Sequence, residues 1–145
     1  MDDTQVKLAI YHYFARTGLA PSPAELGLQL GVTEIDVAVA YQRLRQKRVL
    51  WLEPDDHTIR MAPPFSAIPT QHRVVVKDRS YYANCAWDAL GIPAALKHAG
   101  VAYSRCEQSG EPLELEVRLD VPPDSDWLFH CLVPAARWWH DLPFT

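Results

Sequence analysis

The stretch from Tyr81 to Ala94, YYANCAWDALGIPA, sets the expected fold and chemistry of this chain. It places Cys85 and Asp88 three residues apart in a segment that predicts a short helix, so both side chains should share one face. A thiol near the start of a helix feels the positive end of the helix dipole, which favours the thiolate. One function that such a pair fits is a soft-metal thiolate ligand beside a carboxylic acid that delivers a proton.

The same spacing also has a purely structural explanation. Free cysteine is among the most buried residue types, so Cys85 would serve as a packing residue. Asp88 would then be an ordinary exposed carboxylate of the helix. On spacing alone we favour the structural explanation, and only a longer pattern can favour the catalytic one.

The composition indicates an ordinary globular protein. Its 145 residues, 48% apolar and 22% charged, are enough for one domain or two small ones. No apolar run reaches the ~18 residues of a membrane span, and the acidic start lacks the layout of a signal peptide. We therefore expect a cytoplasmic protein with no membrane partner. The three cysteines predict free thiols rather than a disulfide framework.

Residues 1–62 predict a winged helix-turn-helix domain. One helical pattern begins at Gln5, and the next two begin at the capping boxes Ser22–Glu25 and Thr33–Asp36. A strand, a turn at Pro54–Asp56 and a second strand then predict the wing.

Residues 63–71 are rich in proline and predict a connector between two domains. Residues 72–145 predict a small mixed β-sheet with the short helix of Cys85 against it, so the fold class is α+β. Gly91 and Pro93 are expected to interrupt that helix early. The predicted strands are residues 72–77, 101–105, 113–119 and 127–133, and a helical turn is predicted at residues 134–140.

The segment around Cys85 resembles the active-site segment of organomercurial (alkylmercury) lyases, in which a Cys-x-x-Asp unit cleaves the carbon–mercury bond. The resemblance continues through an apolar-Pro-Ala step at residues 91–96 and a Ser-x-Cys-x-x-x-Gly-x-Pro pattern at residues 104–112, into the alternating strand at residues 113–119. It implies Cys85 as the mercury-binding thiolate and Asp88 as the proton donor. It also implies a small organomercurial or another thiol-reactive metal species as the partner, and no organic cofactor.

The resembled family has a second catalytic cysteine after the segment that corresponds to residues 140–145, and this sequence ends at Thr145. We therefore expect little or no lyase turnover from these 145 residues alone. Three explanations stay open: a sequence cut short, for example at a UGA codon for selenocysteine, a relative that has lost the chemistry, or Cys131 as a substitute thiol. The apolar strand pattern around Cys131 favours burial, but a position facing the same pocket would make it a metal ligand beside Cys85 and Asp88.

The alternative function is a DNA-binding transcriptional regulator with a metal- or thiol-sensing second domain. The predicted recognition helix begins with Glu34 and Asp36, and the predicted wing tip carries Asp55 and Asp56. These carboxylates would repel DNA phosphates, and the net charge of −4 adds no general attraction to nucleic acid. The charge pattern therefore disfavours DNA as a partner.

Overall fold

The chain folds into an α+β structure of two units, residues 1–63 and 64–145. The structure is a computed structural model that describes residues 2–144, so Thr145, where the sequence ends, lies outside the described residues. No helix among the described residues is long and apolar enough to cross a bilayer.

The first unit consists of three helices and a short antiparallel hairpin. Each of the second and third helices begins at the capping box that the sequence predicts, in which a hydroxyl and a carboxylate satisfy the free amides of the first turn. Gly18 and Gly31 end the first two helices with left-handed backbone (φ 76° and 69°), a conformation in which glycine is unstrained. The elements are α1 (Asp3–Thr17), α2 (Pro23–Leu30), α3 (Glu34–Gln46), β1 (Trp51–Leu52) and β2 (Ile59–Ala62).

The three helices enclose an apolar core. Their inward positions follow the helical spacing that the sequence predicts, and each fully buried side chain adds about 1.5–3 kcal/mol of hydrophobic stabilisation. The largest of these side chains are Ile10, Phe14, Leu26, Tyr41 and Leu44.

The second unit is built on five strands in the order β3-β5-β4-β6-β7. The described pairings between these strands are antiparallel, so the predicted mixed sheet is wrong. Parallel neighbours need a crossover connection, and here the crossover from β5 to β6 passes over β4 and leaves no parallel neighbours. The strands are β3 (Phe65–Ser66), β4 (Arg73–Val76), β5 (Arg79–Ala83), β6 (Gly100–Arg105) and β7 (Pro112–Val117).

The predicted proline-rich connector, residues 63–71, contains the short strand β3, which pairs with the end of β5. Ser66 in this strand is buried, and its hydroxyl donates to the carbonyl of Ile68. Strand β5 was not predicted. Its alternation of buried Tyr81 and Ala83 with more exposed neighbours is short and runs directly into the Cys85 segment.

The helix α4 (Ala86–Leu96) forms the crossover and packs against β4, β5 and β6. The sequence predicts an interruption at Gly91 and Pro93, and this prediction is wrong because the helix continues through both residues. Proline in a helix removes one backbone hydrogen bond, which costs about 3 kcal/mol. Burial of Pro93 together with Ala89 and Ile92 on the sheet offsets this cost.

The predicted strand at residues 127–133 is also wrong, because the structure has no strand there. Leu128 and Leu132 are 91% and 78% exposed, and no neighbouring strand in the described part of the chain pairs with this apolar stretch. The predicted helical turn at residues 134–140 corresponds to a 3₁₀ helix, Ala135–His140.

Candidate active site

Cys85 lies at the junction between β5 and α4, where the extended chain turns into the helix. It is the N-cap residue of α4 (φ −149°, ψ 177°), and Asp88 follows in the first helical turn. The Cys85 thiol donates a hydrogen bond to the Asp88 carboxyl group. The structure thus brings together the two side chains that the sequence singles out, and both are half-buried rather than sealed from solvent.

Two other helices of the chain show what an ordinary hydroxyl–carboxylate pair does at this spacing. In the boxes Ser22–Glu25 and Thr33–Asp36 the carboxylate reaches back to the N-cap backbone. These hydrogen bonds lower the pKa of both exposed carboxyl groups. Around Cys85 the result is the opposite, since the N-cap side chain makes no capping hydrogen bond and burial raises the pKa of Asp88. The pair at α4 is therefore not an ordinary helix cap.

The Cys85 thiol has a raised pKa, mainly because burial disfavours the thiolate and secondly because of the Asp88 charge. The backbone N–H groups of Trp87 and Asp88 act in the opposite direction, as the helix N-terminus predicts, but they do not prevail. The expectation of a helix-favoured thiolate is therefore wrong for the free protein. Spacing along the sequence reveals the helix dipole but not the burial that outweighs it.

Partial burial of Asp88 in the first turn of α4 raises the pKa of its carboxyl group, and hydrogen bonds from Asn84 and Cys85 oppose the shift. A buried carboxyl group holds its proton to higher pH than an exposed one. The shift is in the direction that suits a general acid, because it lets Asp88 hold a proton more readily once it has received one.

Asn84 is a further residue of this site that the sequence reasoning missed. Its Nδ2 donates to Asp88 Oδ2 at 2.9 Å, and its Oδ1 is buried without a hydrogen-bond partner in the described structure. The signal in the sequence was the i, i+4 spacing between Asn84 and Asp88 and the fact that Asn84 is the one asparagine of the chain.

Cys131 does not join the pair. It is exposed rather than packed, and its Sγ donates to the Val133 carbonyl at 2.8 Å. Among residues 2–144 no group of three or more His, Cys, Asp or Glu side chains is arranged to hold a metal ion. The structure therefore does not bring Cys131 to the other two members of the predicted metal set, Cys85 and Asp88. The apolar pattern around Cys131 suggested a buried strand, but within residues 2–144 no strand pairs with this stretch.

Two further features are an aromatic contact beside the Cys85–Asp88 pair and a cavity away from it. Trp87, 55% exposed in the first turn of α4, contacts Phe129 with ring centroids 5.7 Å apart. A cavity of about 320 Å³ lies in the first unit, and neither Cys85 nor Asp88 lines it.

The fold and the pair together define a class: an α+β protein in which one helix start presents a thiol and a carboxylic acid to each other. Comparison with known proteins narrows the class. Residues 65–144, more than half of the chain, match the family model described as MerB, alkylmercury lyase. The chain belongs to the alkylmercury lyase family.

Two curated relatives and one solved structure give the extent of the likeness. The chain is 40% identical over 57 residues to alkylmercury lyases from Bacillus cereus and Clostridium butyricum. The matched region is 39% of this chain but 24% of each relative. The fold is also similar to the crystal structure of the mercury-bound form of MerB2, with a TM-score of 0.61 and 28% identity over 79% of this chain and 56% of that one. The chain thus spans about half of that structure's length and about a quarter of the curated relatives' length.

Proposed function

We propose that this chain carries the protonolysis half of an organomercurial lyase site, with Cys85 as the mercury-binding thiolate and Asp88 as the proton donor. The single observation that carries the proposal is the hydrogen bond from the Cys85 thiol to the Asp88 carboxyl group at the start of α4. The substrate class is a small organomercurial, R–Hg–X. Membership of the alkylmercury lyase family and the likeness to a mercury-bound relative support this choice.

The first step binds mercury to sulfur. Hg(II) is a soft cation that prefers thiolate to oxygen or nitrogen ligands. Cys85 is a thiol in the free protein because its pKa is raised, so a base must take its proton as the sulfur–mercury bond forms. Asp88 accepts this hydrogen bond and receives the proton. The products are R–Hg–S–Cys85, the neutral Asp88 acid and the released anion X⁻.

The second step cleaves the carbon–mercury bond. A second thiolate on mercury pushes electron density toward the carbon, which then accepts the proton that Asp88 holds. The carbon–mercury bond breaks, R–H forms, Asp88 returns to the carboxylate, and mercury stays as Hg(II) between two sulfurs. No electron is gained or lost, so the chemistry uses no organic cofactor.

The second thiolate is not assembled beside Cys85 in the described residues. A soluble monothiol supplies the same ligand chemistry in the test tube. Turnover of the 145-residue chain should accordingly depend on added thiol, and released Hg(II) should leave as a dithiolate complex.

We further propose that the first unit is a winged helix with a structural role rather than a DNA reader. The order of three capped helices followed by a β-hairpin supports the winged helix. The basic residues at the end of α3 are already engaged, since Arg43 and Lys47 bind Asp3 at 2.7 and 2.8 Å and Arg45 pairs with Asp56. These three side chains are therefore less available for phosphate contacts, and we expect no salt-dependent shift of duplex DNA at micromolar protein.

The test is benzene release from phenylmercury acetate in the presence of excess monothiol, measured by gas chromatography. We expect release by the parental chain and by Cys106→Ser and Cys131→Ser. We expect none above the thiol-only background from Cys85→Ser. Equal release by Cys85→Ser, or background release by the parental chain, would refute the proposed function.

A further inference from the structure

The Asp88 carboxyl group is held from two sides. Asn84 Nδ2 donates to Oδ2 at 2.9 Å from the residue just before the helix cap, and the Cys85 thiol approaches from the cap itself. Asn84 is half-buried at the end of β5, so its amide has little freedom to turn toward water. The carboxyl group is therefore fixed in direction as well as in position.

Only one end of the Asn84 side-chain amide is hydrogen-bonded in this arrangement. Its Oδ1 is buried and has no hydrogen-bond partner among residues 2–144, and a buried acceptor without a partner destabilises the fold. An amide placed only for stability would have both ends satisfied, as most buried polar groups do. An unsatisfied Oδ1 beside the proposed acid therefore indicates that Asn84 is placed for the hydrogen bond that its Nδ2 donates to Asp88.

We propose that Asn84 is a positioning residue that decides which oxygen of Asp88 carries the proton to carbon, an inference that rests on the function proposed above. In a neutral carboxylic acid the carbonyl oxygen accepts hydrogen bonds and the other oxygen bears the proton. Because Asn84 donates to Oδ2, the proton is held on Oδ1. After transfer to carbon, the same N–H stabilises the carboxylate that remains.

The variant that separates positioning from stability is Asn84→Leu. Leucine keeps the branched shape of the side chain and removes both the donor and the orphan acceptor. We expect the melting temperature to stay the same or rise, because a buried unsatisfied oxygen is lost. We expect Cys85 to bind one equivalent of phenylmercury as before, and the rate of benzene release from that complex to fall about 10²-fold, the typical effect of a misplaced catalytic group.

The matched control is Gln108→Leu, which removes an exposed amide in the turn between β6 and β7 and should leave the release rate unchanged. A second readout does not depend on turnover. Because the chain has one asparagine, selective ¹⁵N labelling gives one pair of side-chain amide signals. The hydrogen-bonded proton of that pair should move upfield in Asp88→Ala.

The outcomes are distinct. A parental chain that binds phenylmercury but releases no benzene would overturn the proposed function and this inference with it. Release by the parental chain together with an unchanged rate in Asn84→Leu would overturn the inference alone. A lower melting temperature with an unchanged amide signal in Asp88→Ala would also overturn it, since Asn84 would then be structural. A slower release with retained mercury binding and stability supports it.

Discussion

Replacing Asp88 by asparagine should slow carbon–mercury cleavage by several orders of magnitude while preserving both the fold and mercury capture. Asparagine has the shape of aspartate and keeps an oxygen that can accept the 2.9 Å hydrogen bond from Asn84 Nδ2, so no buried donor is orphaned. It cannot give up a proton to carbon. General acids contribute about 10²–10⁴-fold, so the barrier should rise by about 3–5 kcal/mol.

The same substitution should change the chemistry of Cys85 in the opposite direction. The Asp88 charge and its acceptor oxygen both raise the pKa of the Cys85 thiol. Asparagine removes the charge, which lowers that pKa, so Cys85 should react faster with iodoacetamide at neutral pH in Asp88→Asn than in the parental chain. Loss of cleavage with a gain in thiol reactivity would show that the active-site helix is intact.

The assay is a single-turnover measurement of benzene release with excess monothiol, with bound mercury counted in parallel. The control is Asp36→Asn, which makes the identical exchange at the same position of α3, in an exposed capping box. It should lower stability and leave the release rate unchanged. Release by Asp88→Asn at the parental rate would refute the assignment of Asp88 as the acid.

Three further outcomes are expected. Cys106 should be alkylated before Cys85 at neutral pH, as measured by peptide-mapping mass spectrometry. The hydroxyl and backbone N–H of Ser109 lower the pKa of the Cys106 thiol, whereas burial raises the pKa of the Cys85 thiol. Labelling of Cys85 before Cys106 would contradict this prediction. Burial lowers the pKa of His72 below its ordinary value of 6.5, against the opposing charge of Glu107. The unfolded state then binds more protons, so unfolding free energy should be at its full value above pH 6.5 and fall as the pH drops below it; a flat profile, or the same slope in His72→Gln, would show that His72 is not the source. Gly100→Ala should destabilise the protein by about 1–3 kcal/mol in urea titrations, because the new Cβ would lie 2.7 Å from the Val75 carbonyl oxygen. Gly91→Ala in α4 is the control: its new Cβ would lie 3.5 Å from Pro64, so this variant should be neutral or stabilising.

The features that the sequence predicted correctly are those that depend on interactions between residues close together along the chain. The two capping boxes, the glycine helix ends and the helix after Cys85 all follow from side chains within a few residues of one another. The proximity of Cys85 and Asp88 belongs to the same group, because three residues of helix bring the two side chains together whatever the rest of the chain does.

The features that the sequence did not predict depend mainly on packing between residues far apart along the chain. Pro93 continues the helix because the sheet buries it, and the thiol pKa rises because burial outweighs the helix dipole. The apolar run around Cys131 has the composition of a strand, but no strand in the described part of the chain pairs with it. Asn84 was overlooked for a different reason: its partner Asp88 is only four residues away, but Asn84 precedes the helix cap, where the helical spacing rule is not normally applied.

The most direct test of the central claim is a crystal structure of the chain reacted with one equivalent of phenylmercury, with mercury located by its anomalous scattering. We predict mercury bonded to Cys85 Sγ, with the Asp88 carboxyl group facing the mercury–carbon bond and Asn84 Nδ2 still donating a hydrogen bond to Oδ2. Mercury on Cys106 or Cys131 with Cys85 unoccupied, or an Asp88 side chain turned away from the metal, would contradict it.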